Sequence, residues 1–158
     1  MPIITLETKV KASIDVCFDL SRSIDLHQIS TADTKEKAIG GVTTGLIQLN
    51  ETVTWQAVHF GITQQLTSKI TAFHPLYHFR DEQVKGAFKY FTHDHYFETQ
   101  NDVVVMKDVF DFESPLGILG KLANAMVLKR YMTNLLVKRN AIIKAYADNG
   151  AWQKILDK

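Results

Sequence analysis

The sequence has few cysteines, few prolines and no excess of charge of either sign, and each shortage excludes a class of protein. Its 158 residues include one cysteine and three prolines, and the formal net charge is +1. The single cysteine, Cys17, cannot form an internal disulfide, which predicts a protein of the reducing cytoplasm. Cys17 lies in an apolar helical stretch, where a small buried thiol is more common than a catalytic nucleophile.

Basic blocks and long apolar runs are also missing. Lysine and arginine total 18 against 17 aspartates and glutamates, so we expect no nucleic-acid partner. We expect no integral membrane association either, because no apolar segment is long enough to span a bilayer. The first residues alternate apolar and polar, unlike a signal peptide. The length suits one domain covering residues 1–158, and no internal repeat or linker divides it.

The hydrophobic pattern predicts a strand, two short helices, about six antiparallel strands and a long C-terminal helix. Residues 3–10 form the first strand, and Ser23 is predicted to cap the second short helix. The long helix is predicted to start at Ser114-Pro115 and to end before Gly150. A curved antiparallel sheet needs its concave face covered, and only this helix is long enough to cover it. We therefore predict an α+β protein in which a curved antiparallel sheet wraps around the long helix.

Two stretches of the sequence resemble a known superfamily. The run from Val53 to Glu98, which includes "YFTHDHYFE", and the later "MKDVFDFESPLGILGKL" look like a bacterial branch of the START/SRPBCC proteins. This superfamily includes the birch-pollen-allergen-like and polyketide cyclase/dehydrase-like proteins, and its architecture is the helix-grip fold. The resemblance implies a cavity between sheet and helix that binds apolar small molecules and, in some branches, acts on them. It brings no universal catalytic motif, so it assigns no catalytic residue.

The motif "HDH" places His93 and His95 on one face of a predicted strand, because side chains alternate along a strand. A two-residue turn at 100–101 would set His93 opposite Asp108 and His95 opposite Met106. Phenylalanines gather on this same face, so we predict that it is the concave, apolar one. The aspartate of the motif, on the other face, is predicted to be solvated.

Two further strands contribute to the predicted concave face. A turn at Phe60-Gly61 sets Trp55 opposite Leu66, with both side chains pointing inward. The strand over 76–84 has two registers that the sequence leaves open. Either Tyr77, Phe79 and Asp81 or His78, Arg80 and Glu82 point inward.

The histidine–carboxylate group has three interpretations. Two histidines at i, i+2 with a carboxylate are a known metal ligand set, but no third histidine is clearly placed, so we expect neither metal nor cofactor. As an alternative, His93 oriented by Asp108 would act as an acid/base pair in a cyclase/dehydrase-like enzyme. The favoured interpretation is a set of polar groups in a mostly apolar chamber, paired with each other and with a ligand oxygen.

The favoured function is non-catalytic binding of an apolar or amphipathic small molecule. Arg139 is predicted to reach across the helix's apolar face to an inward carboxylate. A homodimer stays an open alternative. The predicted ligand-binding residues are Trp55, Leu66, Phe91, His93, His95, Met106, Asp108 and Phe110 from the sheet, and Leu119, Leu122 and Met126 from the helix.

Overall fold

A computed structural model describes residues 2–114 and 121–157, without the side chains of 121–124. Its elements follow the predicted order, with six strands between the short helices and the long one. The elements are β1 (Ile3–Val10), α1 (Ile14–Ser21), α2 (Ile24–Ser30), a 3-10 turn (Ala32–Thr34), β2 (Lys37–Gly41), β3 (Thr52–His59), β4 (Ile62–His74), β5 (His78–Lys85), β6 (Tyr90–Gln100), β7 (Val103–Glu113), α3 (Lys121–Asp148) and α4 (Gln153–Leu156).

The strands form one seven-stranded antiparallel sheet in the order β1-β7-β6-β5-β4-β3-β2. The first strand therefore pairs with the last, and Ile4 lies opposite Phe110. The pairing of β2 with β3 shifts register at one point, and that of β4 with β5 at two points. Such irregularities bend and twist strands, which lets the sheet curve around a helix.

Helix α3 lies across the concave face of the sheet, as predicted. The side-chain amide of Asn140 donates a hydrogen bond of 2.6 Å to Asp108 on β7. The ammonium group of Lys144 donates one of 2.7 Å to the carbonyl oxygen of Lys9 on β1. The helix ends at Asp148, before a glycine with a φ of 80°, which confirms the predicted C-terminus. Its predicted start falls on Pro115, outside the described residues.

The two short helices fill one end of the curved sheet. Phe18 and Leu20 of α1 and Leu26 of α2 are buried in the main apolar core. The hydroxyl of Ser23 accepts a hydrogen bond of 3.1 Å from the backbone amide of Leu26, which confirms the predicted cap. Burial raises the pKa of the Cys17 thiol to about 12, so the protonated thiol serves as a small apolar core group.

The turn between β6 and β7 is one residue further along the chain than predicted. Asn101 and Asp102 form it, with φ angles of 48° and 67°, in place of residues 100–101. A two-residue hairpin turn of type I′ needs two left-handed residues, and Asn and Asp adopt that conformation more readily than Gln. Asp108 consequently lies opposite His95, not opposite the histidine two residues earlier. The turn keeps its length, so every predicted inward residue of both strands still faces inward.

The hairpin of β3 and β4 has the predicted register, with Trp55 opposite Leu66. Phe60 and Gly61 form its turn with φ angles of 52° and 74°. This pairing places both inward side chains on the concave face of the sheet.

The structure also decides the register of β5, which the sequence left open. Phe79 lies opposite His95, and Asp81 lies opposite His93. Phe79 is buried in the core, and Asp81 faces the same side as the two histidines. Tyr77 of the same predicted set precedes the strand and is 64% exposed.

Candidate functional site

A cavity of about 740 Å³ lies between the sheet and α3. Small-molecule sites commonly have volumes of roughly 300–1,000 Å³, so this one has the size of a ligand site. Both layers supply its apolar wall, which includes Trp55, Leu66, Phe91, Phe110, Leu128 and Leu135.

Five of the predicted site residues line this cavity, namely Trp55, Leu66, Phe91, His93 and Phe110. An adjoining hollow of about 100 Å³ shares part of the same wall and is also lined by His95. Asp108 lies behind the two imidazoles and is only 3% exposed. It therefore contacts the site through the histidines and not directly.

Two predicted site residues lie elsewhere. Met106 is in the main core against α1, where its sulfur accepts a hydrogen bond of 3.8 Å from the hydroxyl of Ser21. Met126 is 74% exposed, because two helical residues, or about 200° of rotation, separate it from the lining residue Leu128. The lining positions of α3 recur instead at spacings of three and four. Leu119 and the side chain of Leu122 lie outside the described residues.

Asp108 is the centre of a buried polar cluster. Its Oδ1 atom lies 2.8 Å from Nε2 of His93 and 3.1 Å from Nδ1 of His95. Its Oδ2 atom accepts the 2.6 Å hydrogen bond from Asn140. Burial alone would raise the pKa of Asp108, but the bonds from the two histidines hold it well below its usual range. The residue is consequently a buried carboxylate with its acceptor sites satisfied.

Asp81 lies on the other side of the two imidazoles. Its Oδ1 atom is 3.0 Å from Nε2 of His95 and 3.8 Å from Nδ1 of His93. The ring centroids of the two histidines are 3.8 Å apart. Burial favours a higher pKa for Asp81, but the hydrogen bond from His95 and the positive charges nearby lower it. Each imidazole is thus placed between two carboxylates.

The two histidines differ in their affinity for a proton. Burial and the neighbouring imidazole both lower the pKa of His93. Burial acts in the same direction on His95, but hydrogen bonds with Asp108 and Asp81 outweigh it and raise the pKa. His95 is therefore the first of the pair to take up a proton, and His93 is the neutral imidazole on the cavity wall.

Arg139 brings a buried positive charge from α3 to this cluster, as predicted. Its Nη1 atom is 3.6 Å from Oδ1 of Asp108 and donates a hydrogen bond of 3.0 Å to Oδ1 of Asn140. Its Nη2 atom donates one of 2.9 Å to the carbonyl oxygen of Ser21. Arg139 also lines the cavity, so it can contact a ligand while these hydrogen bonds hold its guanidinium in place.

A second polar region lies on the cavity wall nearer to solvent. His59 and Tyr131 form a hydrogen bond of 2.8 Å, and His27 and Glu36 form one of 3.0 Å. Burial would raise the pKa of Glu36, but the adjacent His27 brings it below its ordinary value. The exposed lining residues lie nearby on the β3–β4 turn and on α3, and they mark the cavity's open side. They include Phe60, Ile62 and Val127.

Sequence reasoning missed two members of the buried cluster. Asp81 belonged to one of the two inward-facing sets that the sequence left open for residues 76–84. The sequence could not choose between them, because the register of β5 depends on its pairing with β6 and not on its own pattern. Asn140 had a readable signal, since it comes four residues after Leu136 and three before Ile143, both buried. A polar side chain at that spacing on a buried helix face needs a polar partner, here Asp108.

Solved structures show which fold class this architecture belongs to. The chain has the helix-grip fold, which is also the fold of a START superfamily protein and of a major latex-like protein, and this confirms the fold that the resemblance in the sequence implied. Neither a protein-family model nor a curated protein matches the chain. Within the described ranges, no helix has both the length and the apolar character that crossing a membrane requires.

Three structural relatives illustrate the likeness. A START superfamily protein from Mycobacterium smegmatis has a TM-score of 0.69 and 10% identity, covering 92% of this chain and 96% of its own. Ginseng major latex-like protein 151 from Panax ginseng has a TM-score of 0.65 and 15% identity, covering 92% and 97%. A protein of Thermus thermophilus has a TM-score of 0.71 and 14% identity, covering 92% and 99%. At these identities the likeness establishes the fold.

Proposed function

We propose that the protein binds an apolar or amphipathic small molecule in the cavity between the sheet and α3, without catalysing a reaction. The supporting observation is the cavity of about 740 Å³, whose wall is largely apolar and whose base carries Asp81, His93 and Arg139. Removing apolar ligand surface from water contributes about 2.5 kcal/mol per 100 Å². The wall therefore supplies affinity, and the polar base orients the ligand.

The base suits a ligand that ends in a hydroxyl group. A hydroxyl both donates and accepts hydrogen bonds. It can donate to the carboxylate of Asp81 and accept from the guanidinium of Arg139, both of which line the cavity. An apolar body of the ligand would then lie against Phe91 and Leu135.

Isothermal titration calorimetry with 2-naphthol, a rigid apolar body with one hydroxyl, tests this proposal. Leu135→Trp fills part of the cavity and is expected to weaken binding at least about tenfold, or 1.4 kcal/mol. Val137→Trp is the matched control, because Val137 is 50% exposed on the same helix and does not line the cavity. Equal affinities of the two variants, or no binding by the unmodified protein, would reject the proposal.

We make separate proposals for the protein's location and partners. The cytoplasm is the proposed compartment, where the single thiol of Cys17 stays reduced. The small molecule is the proposed principal partner. The homodimer alternative is tested by size-exclusion chromatography with light scattering, in which the mass of a single chain would remove it.

A second candidate function is acid/base catalysis by His93 with Asp108. It is favoured by the 2.8 Å contact between Nε2 of His93 and Oδ1 of Asp108 and by the place of His93 on the cavity wall. The lowered pKa of His93 keeps the imidazole neutral, the form that a general base requires. The variants His93→Gln and Asp108→Asn distinguish the two functions. Retained ligand with lost turnover indicates an enzyme, and changed affinity without turnover in any form indicates a binder.

A further inference from the structure

We propose that Asp81, His93 and His95 form a binding site for a divalent first-row transition-metal ion at the base of the cavity. One carboxylate oxygen and one nitrogen of each imidazole all lie within 4.8 Å of one another. Two imidazoles and one carboxylate form the donor set of catalytic zinc sites and of non-haem iron sites. In the sequence, the lack of a clearly placed third histidine counted against a metal site. In the structure, the carboxylate of Asp81 supplies a third ligand beside the two histidines.

The distances from Asp81 to the two imidazoles are close to those around a shared ion. Two ligands at about 2.1 Å from the same ion are roughly 3–3.5 Å apart. The oxygen of Asp81 is 3.0 Å from Nε2 of His95 and 3.8 Å from Nδ1 of His93. All three ligand atoms lie within 4.8 Å of one another, so binding an ion requires them to move closer together.

Asp108 orients both imidazoles for this role. It binds Nε2 of His93 and Nδ1 of His95. When those nitrogens carry the hydrogens that Asp108 accepts, Nδ1 of His93 and Nε2 of His95 are left with free lone pairs. These are the two nitrogens that face Asp81. Metal-binding histidines commonly donate their other N–H to a carboxylate in this way.

The contact between His95 and Asp81 requires a proton or a metal ion between the two side chains. A neutral His95 that donates from Nδ1 to Asp108 presents an Nε2 lone pair to a carboxylate oxygen 3.0 Å away. Two facing lone pairs repel, so either a proton or a metal ion has to lie between them. Asp81 and Asp108 together with Arg139 leave one unbalanced negative charge when both imidazoles are neutral. A proton on His95 or a metal ion bound at this position balances that charge.

The site has room for an ion and for further ligands. The hollow of about 100 Å³ is lined by Asp81, His93 and His95 together. It adjoins the large cavity, whose wall also includes Asp81 and His93. Coordination positions left free by the protein would therefore face the cavity, where water or an oxygen atom of a bound molecule can occupy them. The ion itself needs no ligand in the cavity, so this inference does not rest on the proposed function.

Titration of the tag-free, chelator-treated protein with Co²⁺ tests the site, because visible absorption of bound Co²⁺ reports its coordination. Asp81→Asn and His95→Gln are expected to weaken binding at least about 100-fold, since each loses a direct ligand. Asp108→Asn is expected to weaken Co²⁺ binding about 10–100-fold, because Asp108 orients the imidazoles without binding the ion itself. His74→Gln is the matched control, an exposed histidine on β4 outside the cluster, and its affinity should equal that of the unmodified protein.

Zn²⁺ should displace Co²⁺ with loss of the absorption band. No Co²⁺ binding and no Zn²⁺ binding by the unmodified protein would overturn the proposal. A band that persists in both Asp81→Asn and His95→Gln would overturn it as well. Far-UV circular dichroism shows whether each variant is folded. If His95→Gln unfolds, Asp81→Asn is the deciding variant, because the side chain of Asp81 is 21% exposed.

Discussion

Strand β6 carries a histidine–carboxylate cluster on each of its faces, and the two clusters differ in whether their polar side chains line a cavity. On the outer face, Asp94 lies 2.6 Å from Nε2 of His78 and forms two hydrogen bonds with Arg80, of 2.8 and 2.7 Å. On the inner face, Asp108 binds both imidazoles of the "HDH" motif. The prediction that Asp94 is solvated was wrong: it is 6% exposed, because its two partners on β5 cover it.

The difference shows what a buried carboxylate contributes in each place. The guanidinium of Arg80 engages both oxygens of Asp94, and among the described residues Asp94 lines neither cavity. That cluster connects two strands. The inner cluster adds a second carboxylate, Asp81, which lines a hollow together with the two histidines. The outer cluster therefore stabilises the sheet, whereas the inner cluster is also placed to bind a ligand or a metal ion.

The largest expected effect on stability comes from removing the inner carboxylate. Asp108→Ala leaves the buried side-chain amide of Asn140 without its acceptor and the buried guanidinium of Arg139 without the opposite charge 3.6 Å away, which should lower the free energy of unfolding by about 3–5 kcal/mol. Asp94→Ala should cost about 1–3 kcal/mol, because Arg80 is 39% exposed and its released donors can bind water. Urea unfolding followed by circular dichroism measures both variants. Equal costs would remove the distinction between the clusters.

Next in size is the loss of the cation that α3 brings to the inner cluster. Arg139→Met removes hydrogen bonds to Asn140 and Ser21 and should cost about 1.5–3 kcal/mol. Arg130→Met on the exposed face of the same helix is the control and should stay within about 0.5 kcal/mol. The same unfolding experiment compares the two variants. An equally small effect of both would show that Arg139 does not stabilise the cluster.

The smallest expected effect is a difference in salt sensitivity. The cost of Asp94→Asn should shrink in 1 M salt, where charges are screened beyond about 3 Å, because Arg80 is partly exposed. The cost of Asp108→Asn should change little, because this carboxylate and Arg139 are both buried. Unfolding at low and high salt checks the pair. A matching decrease for both variants would show that water reaches the inner cluster.

Much of the fold could be predicted from the sequence, because hydrophobic periodicity fixes the type and order of long elements. The inward face of β6 and β7 was also predicted correctly although their turn was not. The reason is that a displaced turn of unchanged length moves the pairing by two residues and so preserves the faces. The available signal for the true turn was the pair of residue types at 101 and 102, because Asn and Asp tolerate the left-handed conformation that both adopt there.

The composition of the site was less predictable. The position of Asp81 depends on how β5 pairs with β6, which is a tertiary choice. Met106 was predicted for the cavity but is covered by α1, and a strand's own pattern does not reveal which part of its inner face another element covers. The exposure of Met126 follows from the rotational phase of α3, which a list of apolar residues does not specify.

Methyl NMR of leucine- and methionine-labelled protein during titration with 2-naphthol shows whether a small molecule enters the cavity. We expect the methyl signals of Leu66, Met132 and Leu135, which line the cavity, to shift and saturate together. The signal of Leu49, which is 45% exposed and away from the cavity lining, should stay in place. Shifts confined to exposed methyl groups, or no shift of the cavity methyl groups up to the solubility limit of the probe, would show that the cavity does not bind such a molecule.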